Sequence, residues 1–273
     1  MYEILARLPP GSLVLDLGSG PGSFDTSAPL TVIRADLDPP RLPVPLSRGT
    51  NNFIRCSAAH LPLRSHSFRA VICNHSLEHF EDLDNSIREI ARVLAPDGLI
   101  YIAVPDASTF ADRLYRWLAR GGGHVNAFSE VRTVPGLIAG AGGPTHAGTR
   151  LLCTSLSFLN RRNMTSRPPR KALVVGYGNE NALRFLTLSL RYLDRFFHTR
   201  ACVYGWAYYF GDLTDLDCAI SSNVCVKCGS AHPSSWLERT GRINRRLGLP
   251  AYSCPSCETW NFFTDDRHWQ SLK

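Results

Sequence analysis

Val14-Leu-Asp-Leu-Gly-Ser-Gly-Pro-Gly22 constrains this chain more than any other stretch. A short apolar run carrying one acid, Asp16, opens into three glycines on a two-residue stride. The pattern is that of a strand feeding a tight turn, because glycine accepts positive φ and its missing side chain lets a ligand lie against bare backbone. The helix expected after the turn would aim its unpaired N–H groups at that ligand, a seat for a carboxylate or phosphate.

Spacing narrows the ligand. The dinucleotide fingerprint asks for a third glycine or an alanine at position 23; the chain has Ser23 there and its third glycine at Gly22. Eighteen residues beyond Gly18, after Thr31-Val-Ile33 and Ala35, stands Asp36, where a second parallel strand should end. A carboxylate at that point can accept both hydroxyls of a ribose.

Apolar runs and helical stretches alternate as a doubly wound sheet requires. Residues 13–17, 32–35, 53–54, 70–73 and 99–104 read as buried parallel strands. Leu83, Ile87, Ile90, Ala91 and Leu94 recur at helical offsets behind Glu81 and Asp82, which suit a helix N-terminus, and Pro96-Asp-Gly98 returns the chain to a strand. Ligands on such sheets bind beyond the carboxyl ends of the strands, where these turns fall.

Leu61-Pro62, Ser67-Phe68, Val71-Ile-Cys73, Leu77-Glu-His79, Ala91-Arg-Val-Leu94 and Pro96-Asp-Gly98 then follow in an order that resembles class I S-adenosylmethionine-dependent methyltransferases of the type 11 branch, over about the first 106 residues. The resemblance implies an α/β, Rossmann-like doubly wound sheet. It places Gly18, Gly20 and Gly22 along the methionine part of the cofactor, Asp16 near its amino group, Asp36 on the ribose, and Leu37 and Ser57-Ala58 around the adenine. Asn74, ending the fourth strand, is placed to touch the methionine part. The chain departs from the family at Ser57, where Asp is common and a hydroxyl is the weaker acceptor, and at Arg69, which stands where Phe-Asp is usual. Only ten residues precede Gly11, where the family has helices covering the cofactor.

Cys225-Val-Lys-Cys228 and Cys254-Pro-Ser-Cys257 form a second strong signal. They are two C-x-x-C knuckles with twenty-five residues between them. Four thiolates so spaced suit a tetrahedral structural zinc ion, with Gly229 supplying a tight turn after the first knuckle. Redox pairs or disulfides are the alternatives. The other five cysteines, at 56, 73, 153, 202 and 218, sit in mostly apolar settings without pattern. That fits reduced thiols and a cytoplasmic location, and no apolar run approaches the ~20 residues of a membrane span.

The 273 residues divide, on this reading, into a methyltransferase domain over 1–212, with a helical insertion at about 160–200, and a zinc-ribbon module over 213–273. Thr109 to Arg120 reads as a helix, Ser129 caps another through Leu137, Arg150 to Leu159 reads as a sixth strand, and Tyr204 to Phe210 as a seventh. Between these two strands Leu183, Leu186, Leu190, Leu193 and Phe197 make an apolar helical stripe of the core type.

Methyl transfer from a sulfonium is mostly positioning, and a general base helps only where the acceptor keeps its proton. His75, His79 and His124 are the candidates; His79 and His124 lie in segments that the resemblance puts beside the substrate. The leading function is methyl transfer to a small-molecule acceptor at oxygen, nitrogen or carbon. A second is an RNA or protein methyltransferase whose ribbon grips its substrate through Lys227, Arg239, Arg242, Arg245 and Arg246, in a chain of net charge +7. A third is a module that binds cofactor without catalysis. Asn74-His-Ser76 lacks the Pro-Pro-aromatic sequence of enzymes that methylate base amines, which makes nucleic acid the runner-up. The basic stretch Arg161 to Lys171 fits a solvated connector. Oligomeric state is not encoded legibly.

Overall fold

The computed structural model describes residues 1–20, 22–24, 28–38, 52–118, 123–153, 156–160, 178–244 and 249–266. The chain forms two compact units: Met1–Pro105, His124–Thr149 and Ala207–Leu216 make the first, and Asp106–Gly123, Arg150–Trp206 and Asp217–Lys273 the second.

The first unit is built on parallel strands β1 (Leu13–Leu17), β2 (Thr31–Asp36), β3 (Asn52–Arg55), β4 (Phe68–Asn74) and β5 (Leu94–Pro105), ordered β3-β2-β1-β4-β5. All five expected strands form. The near-continuous apolar runs of β1, β4 and β5 are explained by burial: Val14, Leu15, Ala70, Val71, Ile72, Ile100 and Ile102 are wholly inaccessible, as in strands covered on both faces, whereas β2 and β3 are only partly buried. The order reverses between β1 and β4, which makes their carboxyl ends the crevice where ligands bind in open α/β sheets. Helix α2 (Leu83–Val93) buries Ile87 and Ile90 and is capped by Asp82, whose carboxylate accepts from Asn85 N at 3.1 Å. A short α1 (Tyr2–Leu5) and α4 (Thr133–Gly140) complete the unit's helices among the described residues.

Two expectations fail in this unit. No helix follows the glycine turn among the described residues: thirteen residues separate β1 from β2, and those described are turn and bend. Only six residues lie between Gly22 and Pro29, and Ser23, Asp25, Thr26 and Ser27 favour caps and turns over helix interiors. Helix α4 starts at Thr133 rather than at a Ser129 cap. A start at Ser129 would carry Pro135 into the helix interior, where its missing N–H and its ring break the ladder; a start at Thr133 leaves it in the first turn.

In the second unit, α3 (Phe110–Leu118) begins behind Thr109, and α5 (Glu180–Phe197) behind Asn179, whose side chain accepts from Asn181 N and Ala182 N. The sixth strand, β6 (His146–Cys153), starts earlier than the sequence suggested and stops before Leu156, whose left-handed backbone (φ 55°) leads into a 3-10 turn at Ser157–Leu159. Strand β7 spans Val203–Phe210. Leu151 of β6 pairs in parallel with Ser221 of β8 (Ser221–Val224), and β8 pairs antiparallel with β9 (Ala231–Pro233). Helix α6 (Ser234–Arg239) precedes a small antiparallel sheet of β10 (Ile243–Asn244), β11 (Ala251–Ser253) and β12 (Trp260–Phe262).

The α5 stripe is core only in part. Leu183 and Leu190 are buried with Cys153, Leu159, Cys202 and Val226, whereas Leu193 is 44% exposed and Phe197 69%. The stripe repeats every 3.5 residues and drifts about 20° per heptad around a 3.6-residue helix. Asp194 is buried in its stead, accepting from Ala201 N and Cys202 N at 2.5 and 2.8 Å beyond the helix end.

Near the expected 212/213 the contact units change at 216/217, and the segment beyond shares its unit with Asp106–Gly123 and Arg150–Trp206. The knuckle cysteines share a unit with α5, because Asn160 Nδ2 donates to Val226 O and Lys227 O, and Arg184 Nε donates to Trp260 O at 2.8 Å. Of the expected insertion over 160–200, residues 161–177 lie outside the described residues, the basic stretch Arg161 to Lys171 with them.

Candidate active site

The glycine turn closes over the tips of β1 and β2. Gly18 N and Ser19 N both donate to Ala35 O, and Gly20 N donates to Asp36 Oδ2 at 2.7 Å. Gly18, Gly20 and Gly22 hold φ of +69°, +48° and +109°, conformations that L side chains rarely adopt. At Gly18 a Cβ would also overlap Ser76, whose hydroxyl donates to Leu17 O at 2.9 Å. The tips of β1 and β4 therefore interlock.

Asp16 points into this turn from β1, fully buried. Burial raises its pKa to about 6 against the opposing pull of Ser23, whose N–H donates to Oδ2 at 2.9 Å, and of Arg34, whose Nε stands 4.0 Å away. Its other oxygen, Oδ1, has no hydrogen-bond partner among the described residues. A buried carboxylate oxygen left so costs about 1–3 kcal/mol, which an ammonium donor would relieve. Asp36 Oδ1 accepts from Asp38 N at 3.1 Å.

At the next strand tips Leu37 is 58% exposed, Ala58 is buried, and Ser57 Oγ is engaged by Ala59 N at 3.2 Å. Cys56 N donates to Asp36 O, which ties the β3 tip to the β2 tip. Asn74 ends β4, half-buried. The residues named for the methionine, ribose and adenine parts thus occupy the carboxyl ends of four neighbouring strands.

Beyond β4 the backbone turns sharply through His75, at φ 57°, into a 3-10 turn at Leu77–His79. A non-glycine residue in this region marks a conformation imposed by its surroundings. Val125 N and Asn126 N donate to Glu78 O, and Asn126 Nδ2 donates to Leu77 O and Phe80 O. Those four bonds carry His124 to His79, with ring centroids 4.9 Å apart. Glu78 is buried and has His75 Nδ1 3.7 Å from its carboxylate. His75 is pushed below its ordinary pKa by its surroundings and then by His124 and His79.

In the second unit the four knuckle cysteines converge. Cys225 and Cys257 sulfurs lie 3.6 Å apart, as do those of Cys228 and Cys254, and all four fall within 4.8 Å of one another. Zinc with Zn–S bonds of about 2.3 Å holds its sulfurs about 3.8 Å apart, so the donor set fits that ion and suggests it. Gly229 (φ 74°) and Glu258 (φ 60°) take the same left-handed turn after the two knuckles, although only the glycine was legible in advance. Asn261 Nδ2 donates to Cys225 Sγ at 3.4 Å, and His232 Nε2 lies 3.6 Å from Cys254 Sγ.

Sequence reasoning missed Arg34 and Glu78. Arg34 pairs in register with Asp16 across β1 and β2, and its guanidinium lies against Gly22. A lone cation inside an apolar strand was the available signal. Glu78 was quoted inside Leu-Glu-His but given no role, because nothing in the pattern told that it turns inward.

Comparison with known proteins agrees with this geometry. Residues 15–102 match the family described as methyltransferase domain. That stretch is similar to a methyltransferase domain over about a third of the chain. A malonyl-[acyl-carrier protein] O-methyltransferase of Methylococcus capsulatus is 27% identical over 190 residues, covering 60% of this chain and 68% of that protein. A probable tRNA methyltransferase 9B of Mus musculus is 34% identical over 106 residues, and the match spans 37% of this chain but only 24% of the mouse protein. The crystal structure of the YcgJ protein of Bacillus subtilis aligns at a TM-score of 0.50 and 19% identity, over 76% of this chain and 94% of that one, which shows a shared Rossmann-like fold. The match ends within β5, and the knuckles lie outside it.

Proposed function

We propose that the whole chain transfers a methyl group from S-adenosylmethionine to a small-molecule acceptor. The acceptor heteroatom or carbon attacks the methyl carbon as the carbon–sulfur bond breaks, leaving S-adenosylhomocysteine and one proton. The observation that carries the proposal is the 2.7 Å bond between Gly20 N and Asp36, beside the buried Asp16 with its unpartnered oxygen. On this reading Gly18, Gly20, Gly22, Asp16 and Asn74 hold the methionine part, Asp36 the ribose, and Leu37, Ser57 and Ala58 the adenine. His79 and His124 face the acceptor.

Calorimetry tests it. Purified protein takes up S-adenosylmethionine, and Asp36→Ala weakens uptake at least tenfold; a protein that takes up none refutes the proposal. Binding without turnover over a broad acceptor panel would leave the non-catalytic alternative.

A large substrate is the second reading, and the mouse relative, a probable tRNA methyltransferase, is what favours it. Lys227 and Arg242 are exposed, as such a role needs, whereas Arg239 is ion-paired to Asp217 at 2.5 Å. Arg245 and Arg246 lie outside the described residues. RNA binding that weakens steeply with salt and is lost on changing Lys227 and Arg242 together would establish it.

The four cysteines hold a structural zinc ion on this proposal, which metal analysis of the purified chain checks at one equivalent. None of the nine cysteines is in a disulfide. No helix among the described residues is long and apolar enough to cross a membrane.

A further inference from the structure

The histidine cluster behind β4 has a composition that general-base catalysis leaves unexplained. One imidazole suffices to take a proton, yet His75, His79 and His124 gather around a buried carboxylate. We infer that Glu78, His79 and His124 form a divalent-cation site on the acceptor side of the glycine turn, and that the cation holds the acceptor through a hydroxyl oxygen.

One ligand atom from each of the three lies within 4.8 Å of the others. A four-coordinate ion with bonds of about 2.1 Å spaces its donors about 3.4 Å apart, a separation reached by small side-chain rotations. Two imidazoles and one carboxylate are a donor set that suits first-row divalent ions and leaves coordination positions open for a substrate oxygen. The cluster is also held in place. Glu78 keeps 2% of its surface, and the four hydrogen bonds from Val125 and Asn126 fix the His124 segment to the turn that carries Glu78 and His79. His79 is exposed, so the site opens outward to an incoming molecule.

Placement ties the cluster to the cofactor turn. Ser76, one residue past His75, bonds to Leu17 and abuts Gly18, and Phe80, one residue past His79, reaches within 3.4 Å of the position a Gly18 Cβ would take. A cation here lowers the pKa of a coordinated hydroxyl as it lowers that of water. The hydroxyl proton passes to solvent, the oxygen takes the methyl carbon, and the sulfur keeps the electron pair of the broken bond. The inference rests on the proposed methyl transfer and narrows its acceptor from any nucleophile to a hydroxyl compound.

Manganese(II) is the probe, because thiolate knuckles discriminate against it, and its free electron paramagnetic resonance signal disappears on binding. The full chain is expected to take up one equivalent, with affinity reduced at least tenfold in both His79→Gln and Glu78→Gln. The His79 variant changes an exposed side chain and keeps the fold, which circular dichroism verifies. Catechol, an aromatic 1,2-diol, is expected to bind the manganese-loaded protein at least tenfold more tightly than the metal-free protein. Wild-type protein that leaves the manganese signal unchanged, or uptake unaffected by His79→Gln, overturns the site; equal catechol binding with and without metal overturns its acceptor role. S-adenosylmethionine uptake, measured separately, distinguishes the two ideas. Cofactor bound without manganese sinks the cation site alone, and manganese bound without cofactor sinks the methyl-transfer reading.

Discussion

At Asp16 the demands of folding and of the proposed cofactor binding oppose each other. A carboxyl whose pKa is raised to about 6 in the fold, from 3.8, binds its proton more tightly when folded. The associated stability is fully present below pH 4 and is lost as pH rises to about 6, at most about 3 kcal/mol for two pK units. Asp16→Asn removes that charge at nearly constant shape. Thermal melts of the ligand-free variant are expected to rise relative to wild type at pH 7.5 and to match it near pH 4, while S-adenosylmethionine affinity falls at least tenfold. A variant less stable at pH 7.5 would show that Arg34 and Ser23 already offset the burial. The clustering of Gly18, Gly20, Asp16 and Asp36 at one turn was legible because glycine and aspartate have few other reasons to occupy those positions. What was illegible was direction: Glu78 turning inward and Arg34 reaching across to Asp16 depend on strand register and on a turn fixed by residues some 45 positions away, which no local pattern encodes.

Elements followed the same rule. Strands β1, β4 and β5 were readable because burial on both faces leaves mostly apolar residues, a signal local to each strand, whereas β2 and β3 are only partly buried and carry Arg34, Asn52 and Arg55. The helix after the glycine turn was inferred from its usual role and is missing among the described residues; the turn-forming residues between Gly22 and Pro29 had been the better guide. Helix α5 shows the limit of an apolar stripe, since its best anchor is polar. Arg184, buried on the helix, donates to Trp260 O, Asn181 Oδ1 and Glu180 Oε2, and its guanidinium lies 4.4 Å over the Trp260 ring. Truncation leaves that carbonyl without its charged donor and forfeits the cation–π contact, about 2–4 kcal/mol together. Arg184→Ala should lower the denaturation midpoint by that amount, whereas Glu180→Ala, whose side chain is 37% exposed, should cost less than about 1 kcal/mol. Equal effects in chemical denaturation would show the ion pair, not the bond to β12, to be the anchor.

For the molecule as a whole, the knuckles have a small core of their own that hydrogen bonds tie to α5 and Asn160. Cys225 and Cys254 are wholly buried with Leu237, Tyr252 and Phe263, and Asn261 joins the two sides by donating to Cys225 Sγ while accepting from Val226 N at 2.8 Å. Crowded thiols in such a setting cannot all ionise without a cation: Cys225 is raised to about 11, first by its hydrogen bond with Cys228. An ion that binds there displaces protons and contributes its binding energy to folding. Because Arg184 carries that network to α5, a chelator should destabilise the entire second unit and not only residues 213–273. Hydrogen exchange is then expected to lose protection in α5 and in residues 221–224 together on zinc removal, and Cys254→Ser to reproduce the loss without chelator. S-adenosylmethionine uptake, which on the proposed reading draws on residues of the first unit, should persist in the same samples within about threefold. Protection that disappears from β11 and β12 while α5 keeps its own would restore the smaller, self-contained module that the spacing of the cysteines suggests.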